Sequence, residues 1–410
     1  MKLVILSANY PFGNAGDNNF LKNEIDALSS SFDNIVILST GNGDLKQLPT
    51  CVKPIQVSTR LNIFKAFKAL LLCSGKRSKL AGKEYKSLYP DHSWRVRFMR
   101  IFRYNYMYTC LSKQLKRECS DADLVYSYWL SSRTFAALVA KEKNIIRCPV
   151  ISRAHGFDLY LERGEVAFRK YIGSNIDAVV FISNYGFNYY RNKICPLLTK
   201  TSQLKVEYLG VNKSATEKNY SGSDVLRIVT CSNIVAVKRL DIIIKALGMI
   251  EGFDIAWTHF GGGSDEGAIL DLARQVLDNK SNVSYKFMGA CSNEAIQQYY
   301  NQNEIDLFIN CSDSEGIPVS IMEAISFGIP VICRDVGGNS EINKGENDGY
   351  LLPTDADEKG FCEAIKNFYY LPYESKLKRR SEMLKIFEEN FSRKSIDSFV
   401  QYLIDLAGKH

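Results

Sequence analysis

The chain has 410 residues, of which 46% are hydrophobic and 24% are charged, and its formal net charge is +7. These proportions are typical of globular proteins and exclude a disordered or fibrous chain. The length exceeds that of one ordinary α/β core and suits two cores of roughly 200 residues each.

The N-terminal apolar run, residues 1–8, is followed at once by polar Asn9, Asn14 and Asp17, so it predicts a buried strand and not a signal peptide. No apolar run approaches the ~20 residues that span a bilayer. The eleven cysteines are scattered without a C-x-x-C pair, which indicates a reducing compartment. We expect a cytoplasmic protein, either free or peripheral at the inner face of the cell membrane.

Short apolar runs alternate with helical patterns along most of the chain, which predicts βαβ units and parallel sheets. The strands predicted in the first half are 2–8, 34–40, 123–127, 148–154, 178–183 and 205–211. Those predicted in the second half are 226–232, 254–260, 283–289, 306–311 and 330–334. Ligands are expected outside the carboxyl ends of these strands.

A polar stretch without apolar periodicity, residues 213–224, predicts the linker between a first domain, 1–212, and a second domain, 225–388. The last part of the chain predicts two helices joined near Asn390. Of this part, we expect residues 389–410 to pack back on the first domain.

Two loops of the first domain follow predicted strands. Residues 10–17 include Gly16, and their glycines either let the backbone approach a phosphate or sugar or form a plain βα turn. His155 and Gly156 end another strand; a lone histidine of this kind is either catalytic or a structural hydrogen-bonding residue. We expect Arg153 and Asp158, which flank it, to form salt bridges.

Residues 60–117 contain fifteen Lys and Arg residues but two acids, Glu84 and Asp91. Within this segment, residues 63–72 predict a cationic amphipathic helix of the kind that lies on anionic membranes. A solvated basic face and a nucleic-acid-binding surface are the alternatives, of which nucleic acid is the less favoured.

Basic residues and glycines also follow strands of the second domain. Lys238 and Arg239 begin a helix after the strand 226–232, and Gly262 and Gly289 follow the next two strands. A surface basic pair is the alternative for the two cations. The four histidines are scattered and no D-x-D motif ends a strand, so the sequence predicts no metal site.

Residues 310–332 predict a strand, a loop, a helix, a turn and a strand. Pro318 suits the start of the helix, and Gly328 with Pro330 ends it. The amides of Val319 and Ser320 then form an anion site suited to a diphosphate.

Glu315 lies in this loop and Glu323 lies two helical turns further on, so both are expected near the same face. Their carboxylates can accept hydrogen bonds from a sugar and a ribose. Alternatively, Glu315 caps the helix and Glu323 is a solvated helical residue.

The whole stretch resembles the E-x7-E signature of retaining glycosyltransferases of family 4. The similarity includes the segments 314–316, 323–324, 327–331 and 335–341 and is strongest over 225–355. It implies the GT-B fold, in which two Rossmann-like, doubly wound parallel-sheet domains face each other across a cleft.

The resemblance also implies roles for single residues. Glu315, Gly316 and Ile317 would hold the donor sugar and Glu323 the ribose. His155 would act at the sugar, while Lys238, Val319 and Ser320 would bind the phosphates. Further donor contacts would come from Gly16, Arg239, Gly262 and Gly289, with Arg239 standing in for an arginine that many members carry near Ser232.

The function implied is transfer of a hexose-type sugar, with retention, from a UDP- or GDP-sugar to a cell-surface polysaccharide or lipid-linked glycan precursor. Fixed cations replace a metal in this family, so no cofactor is expected. The alternatives are a sugar-phosphate phosphorylase, a nucleotide-sugar epimerase, or a non-catalytic nucleic-acid- or glycan-binding protein.

Overall fold

The computed structural model describes residues 1–13, 18–162, 166–211, 220–343 and 350–408. The chain forms two compact units, one of Met1–Leu209 with Ser395–His410 and the other of Gly210–Lys394. Most of the predicted linker lies outside the described residues.

In its described part, the first unit contains a seven-stranded parallel sheet with strand order β3-β2-β1-β4-β5-β6-β7. The strands are β1 Lys2–Ser7, β2 Asn34–Ser39, β3 Val52–Gln56, β4 Leu124–Ser127, β5 Val150–Ala154, β6 Ala178–Phe181 and β7 Gln203–Val206. The helices are α1 Asn18–Ser29, α2 Ile63–Cys73, α3 Lys76–Leu88, α4 Trp94–Glu118, α5 Ser132–Glu142, α6 Arg169–Asn175 and α7 Asn184–Tyr189.

The described part of the second unit contains a six-stranded parallel sheet with strand order β10-β9-β8-β11-β12-β13. Its strands are β8 Val225–Cys231, β9 Asp254–Phe260, β10 Val283–Phe287, β11 Leu307–Asn310, β12 Val331–Arg334 and β13 Leu351–Leu352. Its helices are α8 Leu240–Gly248, α9 Glu266–Leu277, α10 Asn293–Gln302, α11 Val319–Ser326, α12 Asn339–Ile342, α13 Glu358–Tyr369 and α14 Tyr373–Asn390. The last helix, α15 Arg393–Ala407, belongs to the first unit from Ser395 onward.

A strand overlaps each of the eleven predicted ranges, although β7 spans Gln203–Val206 where 205–211 was predicted, and the structure adds two strands that were not predicted. β3 carries Pro54 and lies at the edge of its sheet, where a missing backbone donor is tolerated. β13 is only two residues long and also lies at an edge. Neither strand has the long, continuous apolar run that reveals a central parallel strand.

Side chains of β1 alternate between the two faces of the first sheet. Val4 and Leu6 join the cluster that packs with α4 and α5, whereas Leu3 and Ile5 join the cluster that packs with α1 and α15. All four are fully buried, because both faces of a parallel sheet are covered by helices.

Strand order places the same topological switch point in both sheets. The chain reverses direction of winding between β1 and β4 and again between β8 and β11. In doubly wound sheets, ligands bind outside the carboxyl ends of the strands at this point.

None of the helices in the described parts of the chain combines the length and apolar character of a membrane span.

A buried ion pair lies in the core of the first unit. Glu24 of α1 pairs with Arg153 of β5, and their side chains are 2% and 1% exposed. The Arg153 guanidinium also lies 4.0 Å from the ring centre of Phe399 in α15 and donates to the carbonyl of Glu207. This pair therefore connects α1, β5 and the C-terminal helix of the unit.

We expect Glu24→Gln to destabilise the first unit by about 3 kcal/mol, because the variant leaves the Arg153 charge buried without a counter-charge. The matched control is Glu142→Gln, which breaks the half-exposed Arg77–Glu142 pair and is expected to cost about 1 kcal/mol or less. Calorimetric unfolding measures both effects. Equal losses in the two variants would contradict the importance assigned to the buried pair.

Candidate active site

The loops that follow β8 and β11 meet at the switch point of the second sheet. Lys238 ends a short helical turn after β8, and Glu315 lies in the loop after β11. The amide of Asp313 donates to the carbonyl of Val237 over 2.8 Å, which joins the two loops directly. The strand order thus brings together two residues that are 77 positions apart.

Glu315 and Lys238 form an ion pair in this position. The Lys238 Nζ lies 2.6 Å from Oε1 of Glu315, and the side-chain Nδ2 of Asn310 donates to the same oxygen over 3.2 Å. The Glu315 side chain is 9% exposed and that of Lys238 is 23% exposed. A cation and an anion therefore lie at the carboxyl ends of β8 and β11, and each compensates the charge of the other.

Two glycines hold the loop that carries Glu315. Gly338 donates its amide to the carbonyl of Gly316 over 2.7 Å. Gly337 has a φ of +59°, and a Cβ at this position would lie 2.1 Å from the carbonyl oxygen of Glu315. The close backbone approach thus requires glycine at 337 and fixes the path of the chain at 315–316.

Helix α11 begins next to this loop. Pro318 is its N-cap residue, and Val319 and Ser320 are its first two residues, whose amides have no acceptor within the helix by position. Gly328, with a φ of +66°, ends the helix as expected. Gly316 and Ile317 lie in the loop between Glu315 and the helix.

Glu323 is buried in α11 and does not share the environment of Glu315. It is 5% exposed, and the side-chain Nδ2 of Asn293 donates to its Oε1 over 2.6 Å. Burial raises the pKa of Glu323 to about 7, and the charge of Glu294 adds to the rise while the Asn293 hydrogen bond opposes it. The alternative that Glu323 is a solvated helical residue is therefore wrong.

The structure also argues against Glu315 as a simple helix cap. The N-cap position of α11 is Pro318, and no side chain caps this described helix end. The Glu315 carboxylate instead accepts from Lys238 and Asn310.

Arg239 has acidic partners of its own. Its guanidinium contacts both carboxylate oxygens of Asp241, at 3.0 and 3.1 Å, and also Asp313 at 3.3 Å. These carboxylates compensate its charge. Donor binding by Arg239 stays a prediction.

The glycine turns of the second unit pack closely on neighbouring backbone. Gly261 donates to the carbonyl of Gly289 over 2.9 Å, and Gly262 accepts from the amide of Ile234 over 3.0 Å. A Cβ on Gly261 would lie 1.8 Å from the carbonyl oxygen of Ser232. These contacts hold the ends of β8, β9 and β10 together.

Within the described residues, no group of three or more His, Cys, Asp or Glu side chains is arranged to hold a metal ion. Metal independence of the reaction stays a prediction.

His155 follows β5 in the first unit and contacts two aromatic rings. Its ring centre is 4.9 Å from that of Tyr128 and 4.3 Å from that of Trp129. Both ring nitrogens are buried, and neither has a hydrogen-bond partner among the described residues. Oδ2 of Asp158 lies 3.8 Å from Nδ1, which is within ion-pair distance but exceeds hydrogen-bond distance.

Asp158 shapes the loop that carries His155. Its two oxygens accept from the backbone amides of His155, Gly156 and Leu130 at 2.9, 3.1 and 2.8 Å. Although burial acts to raise it, the pKa of Asp158 is lowered by His155 and these amides. The loop that carries the imidazole is thus held by hydrogen bonds to its backbone.

Three supporting residues were missed by the sequence reading. Asn310 and Asn293 hold the two carboxylates of the second unit, and Glu24 pairs with Arg153. A polar residue at the end of an apolar strand was the available signal for Asn310. Burial raises the pKa of Glu24, whereas Arg153 and His155 oppose that rise. The predicted donor residue Gly16 lies outside the described residues.

Residues 213–385 match the family described as Glycosyl transferases group 1. The chain is 29% identical over 142 residues to the UDP-N-acetylglucosamine--peptide N-acetylglucosaminyltransferase GtfA subunit of Streptococcus pneumoniae serotype 4. It is 34% identical over 103 residues to the O-antigen biosynthesis glycosyltransferase WbnH of Escherichia coli. These alignments cover 33% and 25% of this chain and only 26% and 27% of the two relatives.

The whole chain is similar in fold to solved GT-B structures. The crystal structure of Anabaena Alr3699/HepE in complex with UDP-glucose matches with a TM-score of 0.69 and 16% identity, over 99% of both chains. The two parallel-sheet α/β units therefore have the GT-B fold. At 16% identity this likeness shows the fold alone, and the family match is confined to residues 213–385.

The buried Glu323 predicts a pH-dependent stability of the second unit. The folded chain favours the protonated carboxyl, whereas the unfolded chain exposes it at its ordinary pKa of 4.5. The stabilisation is fully present below this value and is lost as the pH rises through 7. We expect the free energy of unfolding of Glu323→Gln, relative to the native chain, to increase by about 1–3 kcal/mol between about pH 5 and about pH 8.

Urea unfolding without ligand measures this difference. Glu363→Gln, at an exposed position of α13, is the matched control and should follow the native chain at every pH. Parallel curves for Glu323→Gln and the native chain would contradict the raised pKa.

Proposed function

We propose that this protein is a retaining glycosyltransferase of family 4, with the E-x7-E motif. It takes a hexose-type sugar from a UDP- or GDP-sugar and transfers it to a cell-surface polysaccharide or a lipid-linked glycan precursor. The observation that carries the proposal is the Lys238–Glu315 ion pair at the switch point, next to the start of α11.

The ion pair is compatible with binding of a negatively charged sugar donor. A diphosphate would compete with Glu315 for the Lys238 ammonium, which is partly exposed. The Glu315 carboxylate would then be released to accept hydrogen bonds from the donor sugar, together with the amides of Gly316 and Ile317. On donor binding, the diphosphate thus replaces Glu315 as the anionic partner of Lys238.

The start of α11 supplies further stabilisation for the phosphates. The amides of Val319 and Ser320 lie at the positive end of the helix dipole. When the sugar leaves, negative charge builds on the nucleoside diphosphate, and fixed donors stabilise it without reorganising. Lys238 and these two amides would provide this effect.

Glu323 is proposed to bind the ribose hydroxyls, and Gly16, Arg239, Gly262 and Gly289 are further proposed donor contacts. UDP-sugars are the first donors to test, because HepE was crystallised with UDP-glucose and the streptococcal relative is a UDP-N-acetylglucosamine enzyme by name. The O-antigen relative supports a cell-surface glycan as acceptor.

In the proposed reaction, the acceptor hydroxyl enters on the same face of the sugar from which the diphosphate departs. The bond from the anomeric carbon to the phosphate oxygen breaks, and a bond to the acceptor oxygen forms. The acceptor proton moves to the leaving phosphate. We propose that His155 stabilises charge on the reacting sugar through its imidazole, whose ring nitrogens have no hydrogen-bond partner among the described residues.

The proposed location is the cytoplasm, with peripheral contact at the inner face of the cell membrane through residues 60–117. This contact would bring the protein to a lipid-linked acceptor, and the strong excess of Lys and Arg in this segment supports it.

The affinities for a nucleoside and for its diphosphate distinguish the proposed roles of Lys238 and Glu323. Lys238→Met should weaken UDP binding about tenfold or more, with little effect on uridine, because only UDP carries phosphates. Glu323→Ala should weaken both ligands, because both carry the ribose. Isothermal titration or thermal shift measures these affinities, with GDP and guanosine as the second pair.

Lys378→Met and Glu363→Ala, both at exposed positions, are the matched controls and should bind like the native chain. Absence of a thermal shift with every nucleotide and nucleotide sugar tested would overturn the proposed function. Turnover that depends on phosphate and releases no nucleotide would instead indicate a phosphorylase.

We expect His155→Ala to lower kcat about a hundredfold or more while the affinity for the donor changes little, because the imidazole would act mainly during transfer. Nucleotide release with a glycan acceptor measures kcat, and the anomeric proton coupling of the product reports retention. His92→Asn is the control, because the His92 ring forms a hydrogen bond with the Tyr85 hydroxyl and has no proposed role in transfer. Unchanged turnover of His155→Ala would refute the role.

A further inference from the structure

Helix α2 of the first unit is apolar but faces solvent. Its exposed residues include Ile63, Phe64, Phe67 and Leu71, with exposures of 78%, 76%, 62% and 58%. Within this helix, which is described in full, Ala69 is the sole buried residue. Single exposed apolar residues are ordinary on protein surfaces, but a contiguous group of this kind marks a binding surface.

The contacts of α2 explain why it is ordered without burying this face. Asn62 caps the helix by accepting from the Lys65 amide over 3.1 Å, and the Asn62 amide donates to the Tyr106 hydroxyl over 2.9 Å. That hydroxyl donates to the carbonyl of Arg60 over 2.7 Å. Polar contacts therefore attach the start of α2 to α4 and leave the large apolar side chains outward.

A second exposed apolar group lies at the start of α4. Trp94 is 65% exposed, and Met99 and Phe98 are 46% and 38% exposed. Indole rings are enriched at the boundary between lipid headgroups and acyl chains. Leu80 of α3 is 57% exposed, so all three helices in the segment present large apolar side chains to solvent.

The charges around α2 are almost all positive. Lys68 of α2 and Lys76, Lys79 and Lys83 of α3 are exposed. Of the two acids in the segment 60–117, Glu84 accepts from the backbone amide of Lys170 over 2.7 Å. The surface is consequently apolar and cationic at once, which is complementary to an anionic bilayer and its hydrocarbon boundary.

We propose that α2 is the element that inserts into the membrane. It would lie flat in the headgroup region with Phe64 and Phe67 among the upper acyl carbons, while the lysines of α2 and α3 contact lipid phosphates. That a membrane-borne acceptor is the reason for this contact rests on the proposed function. The contact itself rests on the exposure and charge of α2.

Other occupants suit this surface less well. A second copy of the chain would place two basic surfaces against each other, which like-charge repulsion opposes. Nucleic acid would pair with the lysines and stack on Phe64 and Phe67, but it would leave the aliphatic side chains of Ile63 and Leu71 in water. A lipid surface satisfies both the charges and the aliphatic side chains.

Co-sedimentation of the full chain with vesicles tests the proposal. We expect binding to phosphatidylcholine vesicles that contain phosphatidylserine and much weaker binding to phosphatidylcholine alone. Phe64→Ser with Phe67→Ser should weaken binding to the anionic vesicles about tenfold or more, because the apolar contribution is removed. Lys68→Glu with Lys76→Glu should weaken it by a similar factor.

Matched controls separate these effects from general changes of the surface. Lys378→Glu with Lys385→Glu makes the same change of charge on exposed α14, and Leu45→Ser with Tyr370→Ser removes two exposed apolar side chains elsewhere. Both controls should bind vesicles like the native chain. Circular dichroism should show that every variant is folded.

Several results would overturn the proposal. Unchanged binding of the double Phe variant would show purely electrostatic contact and exclude insertion. Light scattering that shows a dimer lost in this variant would identify a second copy as the occupant, and RNA binding lost in it would identify nucleic acid.

The thermal shift with nucleotide sugars is measured on the same proteins. A variant that loses vesicle binding but keeps this shift supports α2 insertion and leaves the proposed function intact. Vesicle binding by the native chain without any nucleotide shift would overturn the proposed function alone.

Discussion

The site of the second unit depends on the ion pair between Lys238 and Glu315. The two charges come from loops after non-consecutive strands, so the pair forms only when β8 and β11 lie side by side. Asn310 and the close approach of Gly337 fix the carboxylate on its side of the pair. Neither charge is fully buried, and this partial exposure allows a charged ligand to replace one partner without the cost of leaving an isolated charge in the core.

The second carboxylate of the motif has a contrasting environment, which gives the pair of glutamates two different chemistries. Glu323 is buried in α11 and accepts a hydrogen bond from the side chain of Asn293, and burial raises its pKa to about 7. Such a group can accept hydrogen bonds from hydroxyls when ionised and can donate one when protonated. Glu315, beside a lysine, suits polar groups of a ligand that also carries negative charge. The spacing of eight residues alone does not distinguish these roles; the surrounding side chains do.

Much of the fold could be predicted from the sequence, because central parallel strands are continuous apolar runs and their helices are amphipathic. The prediction missed β3 and β13, since edge strands tolerate Pro54 and can be as short as two residues. The helix around Glu323 was also predictable, from Pro318 and Gly328. Asn293 and Glu24 were not, because their partners are 30 and 129 residues away in the chain, and no local pattern records a contact made only after folding.

Helices α2 and α13 have a comparable apolar spacing but opposite environments. In α13 this spacing buries Phe361, Ile365 and Phe368. In α2 the same kind of side chain faces outward, while Ala69, Leu72 and Cys73 pack inward and Asn62 contacts Tyr106 of α4. Hydrophobic side chains left in water do not stabilise the isolated fold. Their free energy of burial is therefore available to a partner, and the lysines beside them favour a partner with negative charge.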